Sequence, residues 1–291
     1  MNQILAFYHH FDWGIVLPSL FKPLIIQGLI FTVLISVISQ FAGTVIGLVL
    51  YFLRRSRFAP MRFFADAYIW FYRGTPLLVQ ILFLYLALPY LGIAVPLRNF
   101  DFFGAIGFTP ELFFLDSFLA GVVALSLNEG AYMSEIVRAG IDSMDIGQME
   151  AARSLGMTYA QGMRRIVLPQ AMRVIVPPLG NEFNNMLKTT ALISDISFYE
   201  LLGAAKQLGN PSFRGLELLV SASIWYLVLT TVWGFIQSVI ERRLGASSLD
   251  PALRNTRWWE RLMGIGRGVE TAPAIPGTVA GVPPVIQGDR R

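Results

Sequence analysis

The chain has 291 residues, of which 54% are hydrophobic and 14% charged, with a formal net charge of +4. Charged residues make up about a quarter of a typical soluble domain, so this composition excludes an ordinary water-soluble domain and points to an integral membrane protein. The absence of cysteine excludes disulfides, thiolate metal sites and cysteine nucleophiles.

Residues 1–23 lack the basic stretch and small-residue cleavage site of a secretory signal. Their aromatic residues, Trp13 among them, suit an external helix lying in the headgroup layer. His9 and His10 are the only histidines, and an adjacent surface pair makes no metal site. Apolar stretches long enough to cross a bilayer follow at about 24–53, 67–90, 115–138 and 218–241. The second contains Arg73-Gly74-Thr75-Pro76, which should break or kink it. Arg73 either snorkels to the inner surface or pairs with an acid inside the bundle. A fifth stretch, 171–192, holds Pro177, Pro178, Glu182 and Lys188, and loop charge decides whether it crosses. The loop RRSRFAPMR at 54–62 is strongly basic and belongs on the cytoplasmic side, as do the arginines after residue 241. Both conditions hold only if 171–192 also spans. The expectation is an all-α membrane protein with five transmembrane helices, N-terminus outside and C-terminus cytoplasmic. Its 245–291 tail, rich in Pro and Gly from about 268, is expected to be disordered there.

The middle of the third stretch falls at Asn128 and Glu129, and Asn128, Tyr132 and Glu135 share one helix face. A carboxylate at the bilayer centre costs roughly 2.5–3.5 kcal/mol on insertion scales, so Glu129 needs a partner or a wet cavity. Glu135 and Arg138 have the spacing of a structural or gating ion pair. In the 171–192 stretch Glu182 sits among Asn181, Asn184 and Asn185, after a Pro177-Pro178-Gly180 sequence expected to interrupt the helix. Broken helices at the midplane are where transporters place substrates. The alternative is that these polar groups only join neighbouring helices. Trp70, Trp225 and Trp233 suit packing or the lipid interface.

Between the third and fourth stretches, the loop at about 142–169 contains EAARSLGMTYAQGMRRIVLP, from Glu150 to Pro169. Asp145 and Gln148 have capping-box spacing, Gly156 suits a left-handed C-cap, and Thr158 with Gln161 forms a second capping box. Tyr159, Met163, Ile166 and Val167 would line one apolar face, with Pro169 ending the second helix. Two short helices around a tight turn also outline a DNA-reading helix-turn-helix, but tethering to the membrane at both ends argues against nucleic acid.

The segment resembles the EAA motif of ATP-binding-cassette importer permeases: Glu150, Ala151, Ala152, Gly156, Ile166, Leu168 and Pro169 all fall in register. YRGTPLLVQ at 72–80, GAYMSEIVRAGI at 130–141 and PPLGNEF at 177–183 resemble the polar amino acid subfamily. LKTTAL at 187–192 departs from the acidic-plus-serine form of many members. The resemblance implies a permease domain over 24–244 in a bacterial inner membrane, with the EAA segment as the coupling helix docked on an ATP-binding subunit. It further implies an ATPase pair holding ATP and Mg, a second permease chain, and a binding protein that delivers the amino acid. The chain has no phosphate-binding G-x-x-x-x-G-K-[ST] loop, so it is expected not to hydrolyse ATP and to hold no cofactor itself. The competing expectation is a self-sufficient carrier or channel using Glu129 and Glu182.

Overall fold

In the computed structural model, residues 11–90, 112–209 and 214–245 are described, and all their regular structure is helical. The expected tail beyond Gly245 lies outside these residues.

Helix α1 (Trp13–Ser19) starts where Asp12 Oδ1 accepts from the Gly14 N–H at 2.7 Å. It buries Val16 and Ser19 while Trp13, Leu17 and Phe21 stay exposed, which suits an interfacial helix. Helix α2 (Pro23–Arg54) follows, and Pro23 needs no donor at its first turn. At 32 residues it is about 48 Å long by the 1.5 Å rise. Its partner is α5 (Leu112–Asp142). The two can touch because small residues recur every fourth position. A Cβ on Gly43 would lie 2.6 Å from the Glu129 Cβ, and one on Gly47 would collide with Met133. Gly130 answers from the other side, facing Ile46. Close backbone approach at such stripes is the usual way membrane helices gain dispersion contact.

The second apolar stretch is not one span-like rod. It consists of α3 (Ala59–Gly74) and α4 (Leu77–Tyr90), bent by 106°. Pro76 cannot donate and Thr75 is extended, so the helix must stop there. The freed carbonyls are capped by side chains. Gln80 Nε2 donates to the Tyr72 and Thr75 carbonyls at 3.0 and 3.1 Å, and Asn128 Nδ2 donates to the Tyr72 carbonyl at 3.1 Å.

After α5 come α6 (Ile146–Ser154), α7 (Tyr159–Gly162), a π turn (Met163–Val167) and α8 (Leu168–Thr189). A 3-10 segment (Thr190–Ile196), α9 (Leu201–Gly209) and α10 (Gly215–Leu244) complete the order. Two expectations fail here. Pro169 does not end a helix: it sits in the first turn of α8, where a missing N–H costs little, and the wider π turn feeds straight into it. Pro177 and Pro178 do not interrupt α8 either. Their fixed φ is already helical, and α10 packs along this stretch. Gln237 Nε2 reaches the Pro177 carbonyl at 3.2 Å and Trp233 Nε1 the Gly180 carbonyl at 2.8 Å. Irregularity begins only at Thr190, and Ser197 takes a left-handed φ of 61°.

One apolar cluster joins α2, α4, α5 and the 3-10 segment through Phe31, Ile35, Ile81, Leu125, Ile193 and Phe198. A second joins α2, α9 and α10 through Ile25, Leu201, Ala204 and Leu218. Between them lies Glu200, fully buried. Its carboxylate accepts from the Leu202 and Gly203 N–H groups at 3.0 and 2.7 Å and from the Tyr226 hydroxyl at 2.8 Å. It caps α9 and ties it to α10. Among the described residues, α2 and α10 are long and apolar enough to span a membrane, and α3 with α4 makes a third candidate if counted as one bent span.

Candidate functional site

Three groups of side chains carry the chemistry. The first is the loop between α5 and α8. Asp145 caps α6 through the Gly147 N–H at 2.9 Å, not through the expected box with Gln148, whose side chain instead accepts from Gln170 at 3.4 Å. At the other end, the Gly156 N–H bonds the Arg153 carbonyl and the Met157 N–H the Ala152 carbonyl, at 2.9 and 3.1 Å. This is a Schellman motif, and Gly156 takes φ +77° with nothing within 4 Å of where a Cβ would stand. The glycine is needed for its backbone, not for space. The Thr158–Gln161 capping box forms as expected. The two short helices then lock together, because a Cβ on Gly162 would lie 2.9 Å from Met149 Sδ and 3.2 Å from the Ala152 Cβ.

This packing sorts the motif. Ala152 is buried and Ile166 half-buried, so both hold the unit together. Glu150, Ala151, Leu168 and Pro169 are exposed, beside Ile146 and Leu155 at 76% and 81% exposure. Leucine and isoleucine this bare, rimmed by charge, mark a contact surface. Tyr159 leaves the expected apolar face: it is exposed, with the Arg153 guanidinium 5.9 Å from its ring centroid.

The second group is an ion-pair chain joining α2, α3 and α5. Glu135 pairs with Arg138 at 2.8 Å, as expected, and also with Arg54. Arg54 continues to Asp66 at 2.7 Å, and Arg138 to Asp142 at 3.3 Å. Partial exposure keeps each link worth at most about 1 kcal/mol.

The third group lies deeper. Glu129 is 5% exposed and accepts from Gln40 Nε2 at 2.9 Å. Glu182, half-buried on α8, is close enough to act on it electrostatically. Gln40 Oε1 and Asn184 Oδ1 are buried without a protein partner, so hydrogen-bonding capacity is left over in this layer. Tyr132 faces outward beside it, 36% exposed. Two expected members are turned elsewhere: Asn128 to the helix break and Gln80, and Asn181 to Gln237 at 3.1 Å. Trp225 donates to the Leu20 carbonyl and Trp233 packs on Phe183, as packing residues. Among the described residues no cluster could hold a metal ion. Sequence reasoning missed Gln40 and Glu200. The four-residue recurrence of Ser39, Gly43 and Gly47 marks the α2 face beside Gln40, whereas Glu is too rare an N-cap to single out Glu200.

The comparisons with known proteins now bear on this geometry. Residues 43–246 match the family of binding-protein-dependent transport system inner membrane components. The chain belongs to this family. The permease is 35% identical over 274 residues to the arginine transport system permease protein ArgU of Corynebacterium glutamicum, covering 94% of this chain and 82% of that one. It is 37% identical over 233 residues to the arginine transport system permease protein ArtQ of Bacillus subtilis, covering 80% and 97%. Its fold matches the crystal structure of an amino acid ABC transporter with histidines, at TM-score 0.67 and 37% identity over 80% of the permease and 99% of that chain.

Proposed function

We infer that this permease is the membrane-spanning half of an ATP-driven importer of polar amino acids. The observation that carries the reading is the locked α6–α7 unit. It presents Glu150, Ile146 and Leu155 outward while Met149, Ala152 and Gly162 lock its two helices together. A rigid lever with an exposed apolar face is what a partner ATPase would push. The family match and the amino acid transport systems among its relatives support the same reading, and none of them supports a self-sufficient carrier.

In this scheme ATP and Mg sit on a separate ATPase pair, a second permease chain completes the pore, and a binding protein delivers substrate from outside. The permease domain covers 24–244 in a bacterial inner membrane. The α3–α4 pair and α8 cross it beside α2, α5 and α10, giving five spans with the C-terminus inside. Movement of the docked unit is passed through the π turn to α8, which carries Glu182. The ion-pair chain around Glu135 holds α2, α3 and α5 as one body against which α8 moves. Substrate passes the Glu129–Glu182 layer, where two carboxylates favour an α-ammonium and, on balance, a basic side chain. Glu129, Tyr132, Glu182 and Asn185 are the residues we assign to that passage. Asn128 and Asn181 support it from the helix break and from α10.

Cysteine labelling tests the topology. Ser154→Cys and Arg243→Cys should react only from the cytoplasmic side, and Gln207→Cys only from outside. External reaction of Arg243→Cys would mean that α8 does not cross.

A further inference from the structure

We propose that Arg73 is the group that recognises the substrate's α-carboxylate, with its guanidinium poised by the ring of Tyr132. The assignment rests on the importer reading above and deepens it. Carboxylates such as Glu129 and Glu182 can hold an ammonium, but they repel the other half of a free amino acid. A site that takes zwitterions therefore needs a cation in the same layer.

Arg73 meets that need. It is exposed, and its side chain makes no hydrogen bond or ion pair among the described residues; the Tyr132 ring centroid lies 5.5 Å from the guanidinium carbon. No acid pairs with it there, although Arg54 and Arg138 on the neighbouring helices are both paired. Nor is it at the level of that ion-pair chain: Arg73 lies seven residues beyond Asp66 along α3, a rise of about 10 Å. Tyr132 is likewise one turn of α5 beyond Glu135, and one turn short of Glu129. The guanidinium thus occupies the layer between the ion-pair chain and the Glu129–Glu182 pair. At that distance the ring lies within cation–π range, and the N–H fork of the guanidinium makes no hydrogen bond among the described residues. That fork matches a carboxylate in two-point geometry.

The test uses the permease co-purified with its ATPase subunit and reconstituted in lipid, with its binding protein supplied for the uptake step. Of L-arginine, L-histidine, L-glutamine and L-glutamate, the one taken up fastest with ATP is carried forward with its own decarboxylated amine: agmatine, histamine, 4-aminobutanamide or 4-aminobutanoate. Equilibrium binding of both is measured without the binding protein, so that only the permease discriminates. The wild type should prefer the amino acid by at least about tenfold, the worth of hydrogen bonds to a charged group. Arg73→Gln should remove that preference by weakening the amino acid while leaving the amine unchanged. Arg73→Lys, which keeps the charge without the fork, should restore part of it. An Arg73→Gln complex that keeps the wild-type preference, or weakens both molecules equally, overturns the assignment while the importer reading stands. A wild-type complex with no ATP-driven uptake of any of the four overturns both.

Discussion

Replacing Gly156 separates backbone from space in the proposed lever. At φ +77° a residue with a Cβ pays the left-handed penalty, roughly 1–2 kcal/mol, yet a Cβ there meets nothing within 4 Å. Gly156→Ala should therefore cost the closed turn about 1–2 kcal/mol, shifting its opening equilibrium by about 5- to 30-fold. Gly156→Val should cost more, because a β-branched residue rarely takes this conformation. Gly156→Asn should cost least, since its short polar side chain tolerates the left-handed region. ATP-driven uptake in proteoliposomes, normalised to permease inserted, should fall in the order Gly, Asn, Ala, Val, with membrane insertion unchanged throughout. If Ala and Val matched the wild type, the turn would not be what couples the two subunits. If Asn were as harmful as Val, the glycine would be needed for room against a partner, and the backbone argument would fail.

Glu150→Lys reverses an exposed charge without touching the fold, so insertion should be normal while co-purification with the ATPase subunit drops at least about tenfold. Gly47→Leu drives a side chain into Met133 and should prevent α2 from seating on α5, read as a loss of the main unfolding transition in detergent; the milder Gly47→Ala should cost about 1–3 kcal/mol. Glu200→Ala strips a buried cap from Leu202 and Gly203 and a partner from Tyr226, and should destabilise the permease by about 2 kcal/mol or more, measured as a lowered midpoint of thermal unfolding.

The parts legible in the sequence are those governed by local rules. The Thr158–Gln161 box, the left-handed Gly156 and the stop at Thr75-Pro76 each follow from a few neighbouring residues, and each is present. The Glu135–Arg138 pair is legible for the same reason, being one turn apart on one helix. The misreadings come from reaching across helices. Pro177 and Pro178 look like a break, but their φ fits a helix, and Gln237 and Trp233 of α10, more than fifty residues on, hold this stretch against that helix. Pro169 looks like a terminator until the π turn before it makes room for a continuous helix. Glu129 looks like a lone midplane acid, and only the packing of Gly43 against it reveals Gln40 as its partner. Asn128 looks like a member of the same polar face, but the carbonyl exposed by the Thr75 break claims it.

The central claim is that this chain translocates amino acid only when a separate ATPase drives it. The most direct measurement is uptake of radiolabelled L-arginine, L-histidine, L-glutamine and L-glutamate into proteoliposomes. The permease is reconstituted alone, or with its ATPase subunit and binding protein, under either internal ATP or an imposed ion gradient. The account predicts accumulation of at least one amino acid by the full complex with ATP, and none by the permease alone under any gradient. Gradient-driven accumulation by the permease alone would contradict it.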